Sequence, residues 1–165
     1  MRGNPNVTGG RASVDRTIAT GSLVVLADTL VVRTSVRVEL VDITAAITGQ
    51  VRRSGIREGF ASVFSLHTTC ALFINEVQTA LHADILRVLE QIVARDAAWM
   101  HNDPLHSDCD RMNADSHLRA MLLGHSLALQ VAAGEPVLGQ WQRLLVGEMD
   151  GPRERTIRLQ VMGCA

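Results

Sequence analysis

The sequence predicts an α+β fold: a single compact domain in which a mixed or antiparallel sheet packs against two to three helices. Three observations predict it. Strand-like runs of β-branched and apolar residues lie next to one another near both ends of the chain, at 30–40 and at 126–162. Two stretches between them, 78–95 and 114–123, read as helices. Adjacent strand runs disfavour the strict strand–helix alternation of a doubly wound parallel fold. With 47% apolar residues in 165, the chain also has enough material for one core.

In chain order, residues 1–12 mix Gly, Asn, Pro and Arg without periodicity and read as a loose tail. Residues 13–27 are ambiguous, with 23–27 either a short strand or part of an extension. The domain is therefore drawn at 29–165, preceded by a partly disordered extension at 1–28. Strands are expected at 30–33 and 36–40. Asp42 or Thr44 can cap a helix that runs to about Ser54 and stops at Gly55. Residues 60–66 form an apolar strand ending at His67. The helix over 78–95 places Leu81, Ile85, Val88, Leu89 and Ile92 on one stripe, with His82 off it. Residues 96–112, rich in His, Asp and Asn with one proline, are a loop. A helix follows over 114–123 and ends at Gly124, with Asn113, His117, Ala120 and Gly124 on one face. Strands at 126–132 and 137–146 are joined by a hairpin turn. After a turn at 150–153, a last strand spans 156–162.

Composition excludes several function classes. The 16 basic and 17 acidic residues give a formal net charge of −1, so nothing favours bulk attachment to nucleic acid or an anionic membrane. Aromatics make up 3% and tyrosine is absent, which leaves no stacking platform for single strands. Cys70, Cys109 and Cys164 are far apart and odd in number, which argues against a zinc ribbon and for a reducing cytoplasm. No apolar stretch reaches the roughly 18 residues of a membrane span.

The chemistry concentrates in Ser65-Leu66-His67-Thr68-Thr69-Cys70-Ala71-Leu72-Phe73-Ile74-Asn75-Glu76. Polar groups that emerge from an apolar strand need hydrogen bonds, a metal or a ligand. Of the six histidines, His67 closes that strand, His101 sits in the polar loop and His117 projects from the small-residue helix face. No pair has a local ligand spacing such as HExxH, so spacing alone says little about metal. His82 and His106 read as a solvated helix residue and a loop residue. Trp141 in Leu138-Gly139-Gln140-Trp141-Gln142 is either a pocket wall or an ordinary packed indole. Arg153 and Arg155, near Asp150-Gly151-Pro152-Arg153, are either a solvated charged turn or a phosphate contact, which guanidinium suits by geometry. Neither a P-loop nor a dinucleotide fingerprint occurs.

Taken in order, these pieces resemble the YjbQ family, often labelled secondary thiamine-phosphate synthase enzymes. HTTCALFINE from His67 to Glu76 is similar to its HTT/HTS…NE signature. Trp99-Met100-His101-Asn102 resembles its Y-x-H segment, and Asn113-Ala114-Asp115-Ser116-His117-Leu118 its NAxxHL segment. Residues 138–142 resemble LGTWQ, with Gln140 in place of threonine, and residues 150–153 resemble DGPR. The resemblance implies a homotrimer and a metal site at His67, His101 and His117. Zinc suits three imidazoles best, with Mg, Mn, Fe or Ni as other candidates. Asn75, Glu76 and Asn113 match its further polar positions and are the expected catalytic residues. Thr68, Thr69, Trp141, Arg153 and Arg155 are the expected contacts to a small phosphorylated molecule. The implied reaction joins a pyrimidine-methyl pyrophosphate to a thiazole phosphate and releases pyrophosphate. Two other readings stand beside it: a metal-dependent hydrolase with Glu76 as general base, and a non-catalytic metal- or ligand-binding trimer.

Overall fold

Strand pairing around the C-terminal strand explains most of the architecture. The computed structural model describes residues 16–165; the expected loose tail at 1–12 lies outside them. In chain order the elements are β1 (Leu23–Arg33), β2 (Glu39–Asp42), α1 (Thr44–Ser54), β3 (Glu58–Ser65), β4 (Cys70–Asn75), α2 (Thr79–Ile92), a 3-10 turn at Met100–Asn102, α3 (Ala114–Leu123), β5 (Ser126–Ala132), β6 (Glu135–Pro136), β7 (Arg143–Glu148) and β8 (Glu154–Cys164). Two sheets form, β1-β8-β3-β5-β6 and β2-β7-β4, and each pairing in them is antiparallel.

The alternation of strand side chains builds one core between the sheets. Ala61 and Val63, Leu129 and Val131, and Ile157, Leu159 and Val161 come from the larger sheet. Cys70, Leu72, Leu144 and Val146 come from the smaller one, and Ile47 and Val51 of α1 join them. Ile47 is fully buried; replacing such a residue by alanine costs about 2–5 kcal/mol. A smaller cluster of Ala71, Leu89, Ala120 and Met149 seats α2 and α3 against the other face of the three-stranded sheet. The fold is thus a two-sheet sandwich with a helical layer on one side, the expected α+β class with antiparallel sheets and three α-helices.

Local chemistry accounts for the element ends. Asp42 Oδ1 accepts from the Thr44 N–H at 2.8 Å, and Gly55 ends α1 in the left-handed region at φ 70°. Gln78 caps α2 by accepting from the Leu81 N–H.

One open alternative is settled and two expectations need correction. The sheet reaches ahead of the domain expected from residue 29: β1 starts at Leu23, paired with Cys164, which takes the strand alternative for 23–27. Asp28 interrupts the apolar pattern there, but as part of an edge strand its side chain stays half-buried. Of the strand expected over 137–146 only 143–146 forms, as the start of β7; β6 has already ended at Pro136 in the other sheet, and 137–142 is loop. The Gly139 N–H donates to Gln142 Oε1 and the Gln142 N–H to the Gly139 carbonyl, closing a turn between β6 and β7. Finally, the strand expected over 36–40 starts only at Glu39. Glu39 Oε2 accepts from the N–H groups of Ser35 and Val36, which ties 35–36 into a turn.

Candidate functional site

At one end of the sandwich the turn from β3 to β4, the start of β8 and the N-terminus of α3 meet. A cleft of about 310 Å³ opens there, lined by Leu66, His67, Thr68, Thr69, Arg111, Asn113, His117, Asp150, Arg153 and Arg155.

Its floor is a buried ion pair. Glu148, the last residue of β7, is fully buried, and Arg155 is 3% exposed. Arg155 Nε donates to Glu148 Oε2 at 2.6 Å and its Nη2 to Glu148 Oε1, a two-pronged pairing. Glu148 also accepts from the Thr34 hydroxyl at 3.0 Å and the Asp150 N–H at 2.7 Å. Arg155 Nη2 further donates to Thr69 Oγ1 at 3.1 Å. Both Glu148 oxygens are thereby satisfied and Arg155 is held through Nε and Nη2, the kind of pairing under which buried charges are tolerated.

Above the floor, Asp150 gathers donors: Asn113 Nδ2 at 2.9 Å, Arg153 Nη2 at 3.1 Å, Arg37 Nη1 at 3.2 Å and Arg111 Nη1 at 3.5 Å. Gly151 is required beside it by space. A Cβ at this position would lie 2.5 Å from the Val36 carbonyl oxygen and 2.9 Å from Thr34 Oγ1. The turn at 150–153 can therefore fold down on the 34–36 segment only with glycine. In the first turn of α3, Asp115 is fully buried and accepts from Arg37 Nη2 at 3.1 Å. Asn102 Oδ1 caps the helix by accepting from the Ala114 N–H at 3.0 Å, which ties the 3-10 turn carrying His101 to the helix carrying His117.

The histidines differ in state. His67 Nε2 accepts from the Thr156 N–H at 2.7 Å, so the ring continues the β-ladder where β3 has ended. Burial pushes its pKa down and Arg155 pushes it further, against an opposing pull from Glu148. His117 is held below its usual range by burial and then by His101, opposed by Asp150 and Asp115. Both rings are therefore neutral near pH 7. His101 and His117 lie with ring centroids 5.1 Å apart at 82°. They share a recess of about 260 Å³ with Trp99, Met100, Ala114 and Leu118, and His117 borders both this recess and the cleft. A larger hollow of about 710 Å³ adjoins it around Trp99 and Asp96 but holds no histidine.

Thr68, Thr69, Asn113, Arg153, Arg155, His67 and His117 thus come together, with His101 next door. Asn75, Glu76 and Trp141 do not line the cleft. Cys70 pairs with Glu148 and Asn75 with Arg143, so Asn75 sits at the other end of β4, roughly 17 Å away along an antiparallel strand. Trp141, 63% exposed, lies in the turn leading into β7 at that same far end. Among the described residues, no group of three or more His, Cys, Asp or Glu side chains is arranged to hold a metal ion within the subunit. For the three histidines a physical reason is visible: the Nε2 lone pair of His67 is already committed to the Thr156 N–H. Of the three implied donors, His101 and His117 lie side by side, whereas this His67 nitrogen is turned to the backbone.

Residues outside the expected site set complete the site: Glu148, Asp150, Arg37, Asp115 and Arg111, of which Asp150 and Asp115 stand within the DGPR-like and NAxxHL-like segments. Glu148 had a signal in hindsight, a carboxylate closing an otherwise apolar strand, Arg143–Glu148. His82 and His125 each bury an Nε2 with no hydrogen-bond partner, which a solvated reading of His82 did not anticipate.

Comparison with known proteins identifies the family and the fold. The family model described as UPF0047 protein YjbQ-like matches residues 28–164. A UPF0047 protein of Methanothermobacter thermautotrophicus is 48% identical over 134 residues, 81% of this chain and 90% of that protein. The UPF0047 protein YugU of Bacillus subtilis is 32% identical over 136 residues, 82% of this chain and 98% of that protein. Among solved structures, a protein of unknown function from Sulfolobus solfataricus superposes with a TM-score of 0.80 at 36% identity, covering 86% of this chain and 99% of that one. A Clostridium acetobutylicum protein of the yjbq/upf0047 family does so with a TM-score of 0.73 at 29% identity, covering 81% and 98%. With its motifs in family order and its fold shared with these relatives, the chain belongs to the YjbQ/UPF0047 family.

Proposed function

We propose that the cleft binds a phosphorylated small molecule and that the protein is a transferase of the thiamine-phosphate-synthase type. One observation carries the reading. A cleft lined by Arg111, Arg153, Arg155, Thr68 and Thr69 meets, at His117, an apolar recess walled by Trp99, Met100 and Leu118. The first suits a phosphoryl group and the second a flat heterocycle. In the proposed reaction the methylene carbon–oxygen bond of the pyrimidine breaks and pyrophosphate leaves with the electron pair. The thiazole nitrogen then forms the new carbon–nitrogen bond, and no proton need move. The arginines offset charge on the leaving group, and the recess aligns the ring. A divalent ion, zinc first, is kept in the proposal only at His101 and His117; when bound it would supply Lewis acidity. No step above depends on it.

Hydrolysis with Glu76 as base has less support, because Glu76 follows Asn75 at the far end of β4. It would need that end of a neighbouring subunit. A homotrimer is part of the proposal, supported by apolar side chains on the outer face of the five-stranded sheet, with Val25 50%, Phe60 40% and Phe64 46% exposed. No helix among the described residues is long and apolar enough to cross a membrane. The thiols of Cys70, Cys109 and Cys164 are all free, in keeping with the proposed cytoplasmic setting.

The test is direct. Incubated with the pyrimidine pyrophosphate and the thiazole phosphate, the protein should yield thiamine phosphate and pyrophosphate in equal amounts. Substrate binding without product above the uncatalysed rate would refute the synthase and leave a binding protein.

A further inference from the structure

The charged groups around the cleft do not balance, and the imbalance falls on one residue. Five guanidiniums, Arg37, Arg111, Arg119, Arg153 and Arg155, pair with four carboxylates, Glu90, Asp115, Glu148 and Asp150. Four of the five are well occupied. Arg155 is held by Glu148 and Thr69 in the buried floor. Arg37 spans Asp115, Asp150 and Ser116. Arg119 donates to Glu90 and to the Val93 carbonyl. Arg153 holds the Asp150 carbonyl at 2.7 Å and its carboxylate at 3.1 Å. Arg111 makes one contact, to Asp150 at 3.5 Å, beyond the range of a good N–H···O bond. Its side chain is 50% exposed, and it lines the cleft.

The backbone beside Arg111 supports the same conclusion. Met112 has φ 52°, a left-handed conformation that a residue other than glycine adopts at a cost. Met112 is itself 52% exposed, so burial of its side chain does not offset that cost. This conformation lies between Arg111 and Asn113, whose side chain is fixed on Asp150 at 2.9 Å. It thereby sets the direction in which Arg111 leaves the chain.

Resting on the proposed anion-binding role of the cleft, the geometry points to Arg111 as the residue that grips the incoming phosphoryl group. In this assignment Arg155 is structural and Arg153 secondary. Binding then requires little rearrangement. Arg111 exchanges a long contact with Asp150 for a short, two-pronged one to the anion, and the other ion pairs stay in place.

Calorimetric titration with inorganic pyrophosphate, and separately with inorganic phosphate, tests this. Arg111→Gln should weaken pyrophosphate binding roughly tenfold to a hundredfold, the usual loss for a charge-assisted bond. Arg111→Lys should recover only part of it, because an ammonium cannot reproduce the fork. Arg87→Gln, on an exposed pair with Asp84, should bind as the wild type does. If Arg111→Gln keeps wild-type affinity while Arg153→Gln loses it, the assignment to Arg111 is overturned and the anion cleft survives. If the wild-type protein binds neither anion, the cleft reading and the assignment fall together.

Discussion

Glu148 and Arg155 bury opposite charges where water cannot screen them, and the consequence is asymmetric. Removing one partner strands the other, at a cost of about 3–5 kcal/mol, whereas replacing both with apolar groups is far less harmful. Glu148→Gln should therefore lower the urea midpoint of unfolding sharply, and Glu148→Leu combined with Arg155→Met should recover much of the loss. Equal midpoints for the single and double variants would contradict the buried-pair account. His67 makes a different prediction. Its folded pKa is depressed by burial and then by Arg155, so the unfolded chain takes up its proton first. The stability it contributes is complete above the unfolded value near 6.5 and is lost as the pH falls toward the folded one. The urea midpoint should drop between pH 7 and pH 5. His67→Gln, which keeps an acceptor for the Thr156 N–H, should show a smaller drop; an unchanged drop would place its origin elsewhere.

At the scale of elements, the site depends on how α3 is held. Asn102 caps its first turn, Asn113 reaches Asp150, and the Ser116 hydroxyl donates to the Met149 carbonyl at 2.5 Å. Asn102→Ala should cost about 1 kcal/mol, as lost caps do, and should loosen the His101–His117 pair, visible as altered ring signals in NMR. Unaltered signals with lowered stability would separate the cap from the site. Much of this was legible in the sequence. The helix over 114–123, the stop at Gly124 and the strand at 126–132 follow from local period and capping chemistry. His67, His117, Asn113, Arg153 and Arg155 stood out because polar groups beside apolar runs need partners. What local chemistry could not supply was distance. Residues 67–76 read as one motif, but β4 carries its two ends to opposite ends of the sandwich, separating His67 from Glu76. Arg111 escaped notice because its importance depends on which carboxylates the other arginines have already taken.

For the whole molecule, the proposed trimer would be built through the apolar outer face of the five-stranded sheet. Register places Met162 between Phe60 and Val25, and Arg158 beside Phe64. Leu66, 52% exposed, continues past the end of β3 into the cleft. Phe60→Lys together with Phe64→Lys should convert the proposed trimer to monomer in sedimentation velocity, without loss of far-ultraviolet circular dichroism. A double variant that sediments as the wild type does would move the interface elsewhere.

The central claim is that small phosphorylated molecules bind at the His67 end of the sandwich. Backbone amide NMR during titration with inorganic pyrophosphate tests it most directly. The account predicts saturable shifts centred on Thr68, Thr69, Arg111, Asn113 and Arg153, with Asn75, Glu76 and Trp141 unmoved. Shifts centred on Trp141 and Glu76 instead, or none at millimolar pyrophosphate, would contradict it.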